Sequence, residues 1–297
     1  MAFFLEVLIA GLLAGVMYGL VALGFVLIYK ASGVFNFSQG AMVFFTVLSV
    51  TGFMEWGLPL WVSILCVAVV IVITAFLTER LVLRPLLAQP PIALFMATLG
   101  LTFVIEGAAP LIWGSKVRAL DLGIPDVPLE GVMRATDIGI STFDLVAASI
   151  AALLIVSLTL FFSYTKTGRA LRAVADDTTA AMSLGIPLRF VWVVVWSVAG
   201  FVAMVAGLLW GARNGVQYSL MFVALKAFPV LIIGGFNSIP GAFVGGLIVG
   251  TCEKLFEVYI GTSLGGGTEG WVPYVLALLF LLVRPEGLFG DKIIRRV

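Results

Sequence analysis

Two short segments place amide and hydroxyl side chains among glycines, between long apolar runs: GVFNFSQGAMV at 33–43 and GGFNSIPGAFV at 234–244. Asn36, Ser38, Gln39, Asn237 and Ser238 supply hydrogen-bonding groups, Phe37 lies among them, and Gly40, Gly241 and Pro240 interrupt helical continuity. Irregular polar backbone within an apolar layer is tolerated only when buried in protein or lining a watery cavity. The chemistry open to such groups is hydrogen bonding to a small polar solute beside a pair of helix breaks. The other reading is two ordinary turns in which Asn and Gly serve turn geometry. Phe35/Phe236, Asn36/Asn237, Gly40/Gly241, Ala41/Ala242 and Val43/Val244 match at one constant offset. That pattern reads either as a parallel internal repeat or as chance agreement in Gly- and Phe-rich sequence.

Ionisable residues are scarce. Glu106 and Lys226 fall inside apolar runs, where an unpaired charge is costly, so each must face protein or water. The two could pair, or Lys226 could snorkel from a membrane boundary. Glu253, Lys254 and Glu257 have helical spacing and are expected to pair with one another at a solvated helix end. One good mid-membrane acid does not make a proton relay. There is no histidine, and Cys66 and Cys252 each sit in an apolar stretch, which removes the parts of His/Cys metal sites and of Cys-His or Ser-His-Asp catalysis. No GxxxxGK[ST] phosphate loop occurs either. The expectation is a chain without cofactor that is not itself an enzyme.

The elements that must hold these groups are read from composition. The chain has 297 residues, 62% hydrophobic and 11% charged, against about 45–50% and about 25% in soluble domains. No soluble fold hides so much apolar side chain. At about 20 residues per crossing there is room for roughly 8–10 spans. Apolar runs at roughly 5–29, 40–55, 59–78, 92–113, 142–163, 191–211, 222–236, 241–260 and 271–283 give nine candidates, with 222–236 and 271–283 short. The expected fold is an all-α polytopic helical bundle with helix breaks, a single transmembrane domain over 1–297. Most of the 17 Lys and Arg then share one side with the C-terminus, including Arg169, Arg172, Arg284, Lys292, Arg295 and Arg296. The positive-inside rule puts the N-terminus outside, 114–141 as an outer loop and 164–190 as a cytoplasmic loop. Gly11, Gly15 and Gly19 recur every four residues, a face for close helix packing, and Gly241/Gly245, Gly246/Gly250 and Gly207/Gly211 read alike.

The segment YTKTGRALRAVADDTTAAMSLGIPLR at 164–189 is too charged to cross a membrane. Leu171, Val174, Met182 and the alanines have helical apolar spacing, Asp176 and Asp177 interrupt it, and Gly185 followed by Pro187 is a helix stop. One or two short amphipathic helices are expected. GRALRAVADDTTAAMSLGIP resembles the cytoplasmic coupling loop of ABC-importer permeases, specifically the branched-chain amino acid type. ALGFVLIYKASGVFNFSQGAMV at 22–43 is similar to the first-hairpin signature of that family, GGFNSIPGAFVGGLIVG at 234–250 to its glycine-rich signature and RPEGLFG at 284–290 to its C-terminal tail. Family members often carry His and an acidic residue beside the first-signature glycine; Gln39 and Ala41 flank Gly40 here.

The resemblance implies a plasma (inner) membrane permease subunit that pairs with a second, identical or homologous, permease subunit, two cytoplasmic ATP-binding subunits and an extracytoplasmic solute-binding protein. Its solute would be a branched-chain amino acid or a related urea, amide or aromatic acid. ATPase coupling would rest on Leu171, Val174, Met182 and Leu184 as apolar contacts, on Arg169, Arg172, Asp176 and Asp177 for charge register, and on the Gly185 and Pro187 stop. Asn36, Phe37, Ser38, Gln39, Asn237, Ser238 and Glu106 would line the path. The competing class is a self-sufficient secondary carrier or channel, distinguished by the absence of a partner ATPase.

Overall fold

A computed structural model describes residues 2–86 and 89–290. The basic tail residues Lys292, Arg295 and Arg296 lie outside them. The helices in chain order are α1 (Ala2–Ser32), α2 (Gln39–Glu55), α3 (Leu60–Thr78), α4 (Pro91–Trp113), α5 (Glu130–Thr136), α6 (Thr142–Tyr164), α7 (Lys166–Asp176), α8 (Thr178–Ser183), α9 (Leu188–Asn214), α10 (Val223–Gly234), α11 (Ile239–Tyr259) and α12 (Val272–Val283). Each of the nine apolar runs is a helix. Among the described residues six helical stretches are long and apolar enough to cross a membrane, and α2, α10 and α12 are shorter. β-Branched residues crowd α3 without breaking it, because a backbone in lipid has no alternative to its own hydrogen bonds. Beyond Thr78 that helix widens into an i→i+5 turn at Glu79–Leu83 and tightens into a 3-10 turn at Arg84–Leu86. Pro91 opens α4, where its missing N–H costs nothing.

The chain divides into two compact units. Among the described residues the first comprises 2–23, 122–157 and 226–290. Its seam is glycine: a Cβ at Gly11 would lie 2.8 Å from the Thr251 Cα, one at Gly250 would lie 2.5 Å from the Gly11 carbonyl oxygen, and Gly15 and Gly246 meet backbone to backbone. Thus α1 and α11 touch through their main chains, as the four-residue glycine spacing predicts. Gly245 abuts the Val230 carbonyl oxygen, so α11 receives α10 in the same way.

The second unit comprises 24–121 and 158–225. Here α2 packs on α9, α4 and α3. Gly207 admits the Val43 carbonyl, and Gly52 admits the Trp113 ring. Val195, Ala199, Val202, Ala203, Met204 and Ala206 of α9 are fully buried. By contrast α3 and α4 expose Leu65, Val69, Val72, Phe103, Val104 and Leu111, apolar side chains suited to lipid. Glycine therefore concentrates where helices meet, and leucine, valine and phenylalanine cover the rim.

Candidate functional site

In the second unit α7 and α8 are fixed at every end. Thr165 Oγ1 accepts from the Gly168 N–H at 3.0 Å, capping α7, and Gly168 lies against the Phe162 backbone, where a Cβ would clash. Arg172 Nη2 donates to the Ser163 carbonyl at 3.0 Å. Asp177 Oδ1 accepts from the Ala180 N–H at 2.9 Å, so this residue ends α7 and caps α8. Gly185, at φ +81°, closes α8 with Gly185 N–H to Met182 carbonyl at 2.9 Å and Ile186 N–H to Ala181 carbonyl at 3.1 Å. Pro187 then precedes α9.

The apolar positions of this segment split. Leu171 and Val174 are buried within the chain at 2% and 1% exposure, whereas Met182 and Leu184 stand out at 49% and 80%. Arg169, Arg172, Asp176 and Asp177 are exposed as well. Met182, Leu184 and the charges thus face outward, while Leu171 and Val174 anchor the segment from beneath. This narrows the expected contact set, because α7 spends its own apolar stripe on its own chain.

The α1–α2 turn belongs to the same unit. Asn36, Ser38 and Gln39 are fully buried. Asn36 Oδ1 accepts from the Ser38 N–H at 3.1 Å and from Ser38 Oγ at 2.6 Å, and Asn36 Nδ2 donates to Gln39 Oε1 at 3.4 Å. Gln39 Nε2 donates to the Ala199 carbonyl at 3.4 Å, and the missing side chain of Gly24 leaves room for that amide. Thr98 Oγ1 accepts from the Phe37 N–H and donates to the Phe35 carbonyl, tying α4 to the turn. The Phe37 ring meets Phe35 and Phe95 edge-on. In the first unit the α10–α11 turn is built differently: Ser238 Oγ caps α11 by accepting from the Gly241 N–H at 3.0 Å, whereas Ser38 makes no such cap and donates to Asn36. There Leu288 and Phe289 donate backbone N–H groups to the Ile233 and Gly234 carbonyls at 2.8 and 3.1 Å, so the RPEGLFG tail seals the end of α10.

Asn36→Leu is expected to destabilise the protein by about 1–3 kcal/mol, since it strips the buried Ser38 groups of their acceptor. Asn36→Asp keeps that oxygen but buries a carboxylate and sets an oxygen against Gln39 Oε1, so it should lose at least as much. Thermal unfolding in detergent reads both, and a wild-type midpoint for Asn36→Leu would show the network to be dispensable.

The charges pair differently from the sequence expectation. Glu106 accepts from the Tyr218 hydroxyl within the second unit, not from Lys226. Lys226 donates to Glu253 at 2.8 Å and to the Tyr18 hydroxyl at 3.2 Å, and Tyr18 donates to Glu253 at 2.9 Å, all within the first unit. Glu253 is therefore no solvated helix end: its side chain has 0% exposure. Nor do its neighbours pair with it. Lys254 turns to Glu269 at 3.3 Å, and Glu257 accepts from Thr268 and the 267–269 backbone. The 3-10 turns following α11 bring these partners in, and helical spacing alone could not foretell them. Tyr18 and Glu269 carry no local signal of these pairings, and within the 114–141 segment Arg118 forms a two-pronged pair with Glu55 at 2.7 and 2.9 Å and donates to the Trp113 carbonyl. Among the described residues no group of three His, Cys, Asp or Glu could hold a metal.

Comparison with known proteins covers nearly the whole chain. Residues 7–284 match the family described as "Branched-chain amino acid transport system / permease component". The high-affinity branched-chain amino acid transport system permease protein BraD of Pseudomonas aeruginosa is 30% identical over 99% of this chain and 98% of its own. LivH of Escherichia coli K12, a permease protein of the same description, is 28% identical over the same shares. A solved structure, PsaBC from Streptococcus pneumoniae in complex with Fab, is 16% identical with a TM-score of 0.43, covering 94% of this chain and 90% of its own. With a match that takes in every spanning helix, both polar turns and the α7–α8 segment, this multi-pass membrane protein belongs to the family of branched-chain amino acid transport system permease components.

Proposed function

We propose that the chain forms one membrane half of an ABC importer that moves a branched-chain amino acid, delivered by an extracytoplasmic binding protein and driven by ATP hydrolysis on two cytoplasmic subunits. The names of the relatives support the solute class, and the α7–α8 segment carries the reading of coupling. That segment is capped at both ends, anchored by Leu171 and Val174, and presents Leu184, Met182, Arg169 and Arg172 outward. A rigid, charged, partly apolar knob is what a soluble motor needs in order to push on a bundle. The second membrane half is an identical or homologous chain.

The positive-inside rule supports an outer N-terminus, with α7–α8 in the cytoplasm and 114–141 outside. The Lys226, Glu253 and Glu269 cluster then lies toward the outer face. Asn36, Phe37, Ser38, Gln39, Asn237 and Ser238 are assigned to two helix breaks beside the path, and Glu106 with Tyr218 to its flank. With the 36–39 groups bonded to one another, that break aims α2 and α4 in this conformation. Solute would reach it only when the turn opens.

Uptake of radiolabelled leucine into proteoliposomes holding the full complex, with ATP inside, tests the reading. Arg172→Glu and Gly185→Pro are each expected to cut uptake by roughly tenfold or more with normal membrane insertion, because a reversed charge at a docking face costs several kcal/mol and proline cannot adopt a positive φ. Wild-type uptake in both variants, or uptake that needs no ATP, would overturn it.

A further inference from the structure

Where α3 ends and α9 begins, a cavity of about 480 Å³ is lined by Arg80, Arg84 and Arg189 together with Glu79, Phe76 and Phe190. These residues belong to one compact unit. Four-residue spacing overshoots an α-helical turn of 3.6 residues, and the wider i→i+5 turn at Glu79–Leu83 offsets that drift, so Phe76, Arg80 and Arg84 share one face. The Arg80 guanidinium lies 6.0 Å from the centroid of the Phe76 ring, which holds it over the cavity. Glu79 is buried, while the three arginines are exposed. Three cations against one carboxylate leave the cavity with an excess of positive charge. No hydrogen bond or ion pair to another described residue engages the three guanidinium groups.

The surroundings of the cavity are apolar. Phe76 and Phe190, which line it with Val193, are exposed at 45% and 57%. The cavity sits at one end of the Leu60–Leu86 span and at the start of the Leu188–Asn214 span. A membrane-spanning helix ends at the depth of the headgroup phosphates. Guanidinium forks match phosphate oxygens two at a time, and basic pockets between spanning helices suit acidic headgroups.

We propose that Arg80, Arg84 and Arg189 form a binding site for the phosphodiester of an anionic phospholipid, whose acyl chains lie along Phe76, Phe190 and Val193. A free phosphate would use the guanidinium groups and leave the aromatic flank unused, so the lipid fits more of what is present. Only a short link separates α9 from α8, and Gly185 and Pro187 lie in it. Headgroup occupancy would therefore brace the foot of the α7–α8 segment, making lipid composition a regulator of the protein. The inference needs only that the chain sits in a membrane, so its failure would leave the import reading standing.

The test titrates the full-length protein in neutral detergent with dihexanoyl phosphatidylglycerol, dihexanoyl phosphatidylcholine and inorganic phosphate, reading bound lipid by native mass spectrometry. Phosphatidylglycerol should bind and phosphatidylcholine should not. Arg84→Gln combined with Arg189→Gln should weaken phosphatidylglycerol binding about tenfold to thirtyfold, since each cation near a charged lipid surface counts separately. Arg84→Lys with Arg189→Lys, which restores the charge without the fork, should recover part of that loss, which guards against a variant that simply misfolds. Equal binding of phosphatidylcholine, or unchanged binding in the Gln pair, would overturn the proposal. So would inorganic phosphate competing at the same concentration, which would make the cavity a free-anion site. Loss of bound phosphatidylglycerol when the ATP-binding subunits assemble would also overturn it, by making the arginines a protein contact.

Discussion

Lys226→Met is expected to lower the thermal midpoint steeply. Its ammonium group lies 2.8 Å from a Glu253 carboxylate whose side chain has 0% exposure, and that carboxylate oxygen otherwise accepts from the Tyr18 hydroxyl. Removing the cation strands a buried carboxylate, a change that costs about 3–5 kcal/mol in a buried pair. Against a typical total stability of about 5–15 kcal/mol, that is a large share. Glu253→Gln should be milder, because Lys226 keeps a second carboxylate, Glu269, at 3.8 Å and the new amide oxygen can still accept from Tyr18. The double variant Lys226→Met with Glu253→Gln should recover part of the loss, since no unpaired charge remains. Thermal midpoints of the four proteins, compared as a double-mutant cycle, give the coupling directly. A Lys226→Met midpoint equal to wild type, or a double variant no better than the single, would show that the pair is screened by water.

That pair marks the limit of what the sequence discloses. The nine apolar runs become nine helices because hydrophobicity and backbone self-satisfaction act locally along the chain, and lipid leaves a run of that length no other choice. The α7–α8 segment is legible for the same reason: Thr165, Asp177, Gly185 and Pro187 act within four residues of the ends they fix. Lys226 is different. Its partners stand 27 and 208 residues away, and nothing in the spacing of Glu253, Lys254 and Glu257 says which one faces inward. The turn at 36–39 lies between these cases. Asn, Ser and Gln among glycines announce a helix break. Whether their polar groups face a solute or one another depends on Gly24, Thr98 and Ala199, three residues on separate stretches of chain. Leu171 and Val174 likewise have the spacing of a docking stripe, and only tertiary packing reveals that the chain itself covers them.

Gly246→Ala and Gly100→Ala should move stability in opposite directions, although each adds the same methyl group to a spanning helix. At Gly246 the new carbon would press on the Gly15 carbonyl oxygen and lie 2.9 and 3.0 Å from the Gly19 N and Cα atoms. All three are backbone atoms, so no side chain can rotate aside, and α1 and α11 must part along a seam that also holds Gly11 and Gly250. Overpacking of a close contact costs typically about 1–3 kcal/mol, and separating the seam forfeits dispersion contacts on both helices as well. Helix association within lipid depends on that close approach, since no hydrophobic force drives one apolar helix against another there. At Gly100 of α4 nothing beyond the adjoining residues and the helix's own backbone lies within 4 Å of an added Cβ. The methyl there meets open space on a rim helix and removes the glycine penalty of roughly 1 kcal/mol in a helix interior. The Gly246→Ala midpoint is therefore expected to fall by several degrees and that of Gly100→Ala to hold or rise, both read by size-exclusion chromatography after heating. If Gly246→Ala melted with the wild type, the main-chain seam between α1 and α11 would not be what holds that unit together.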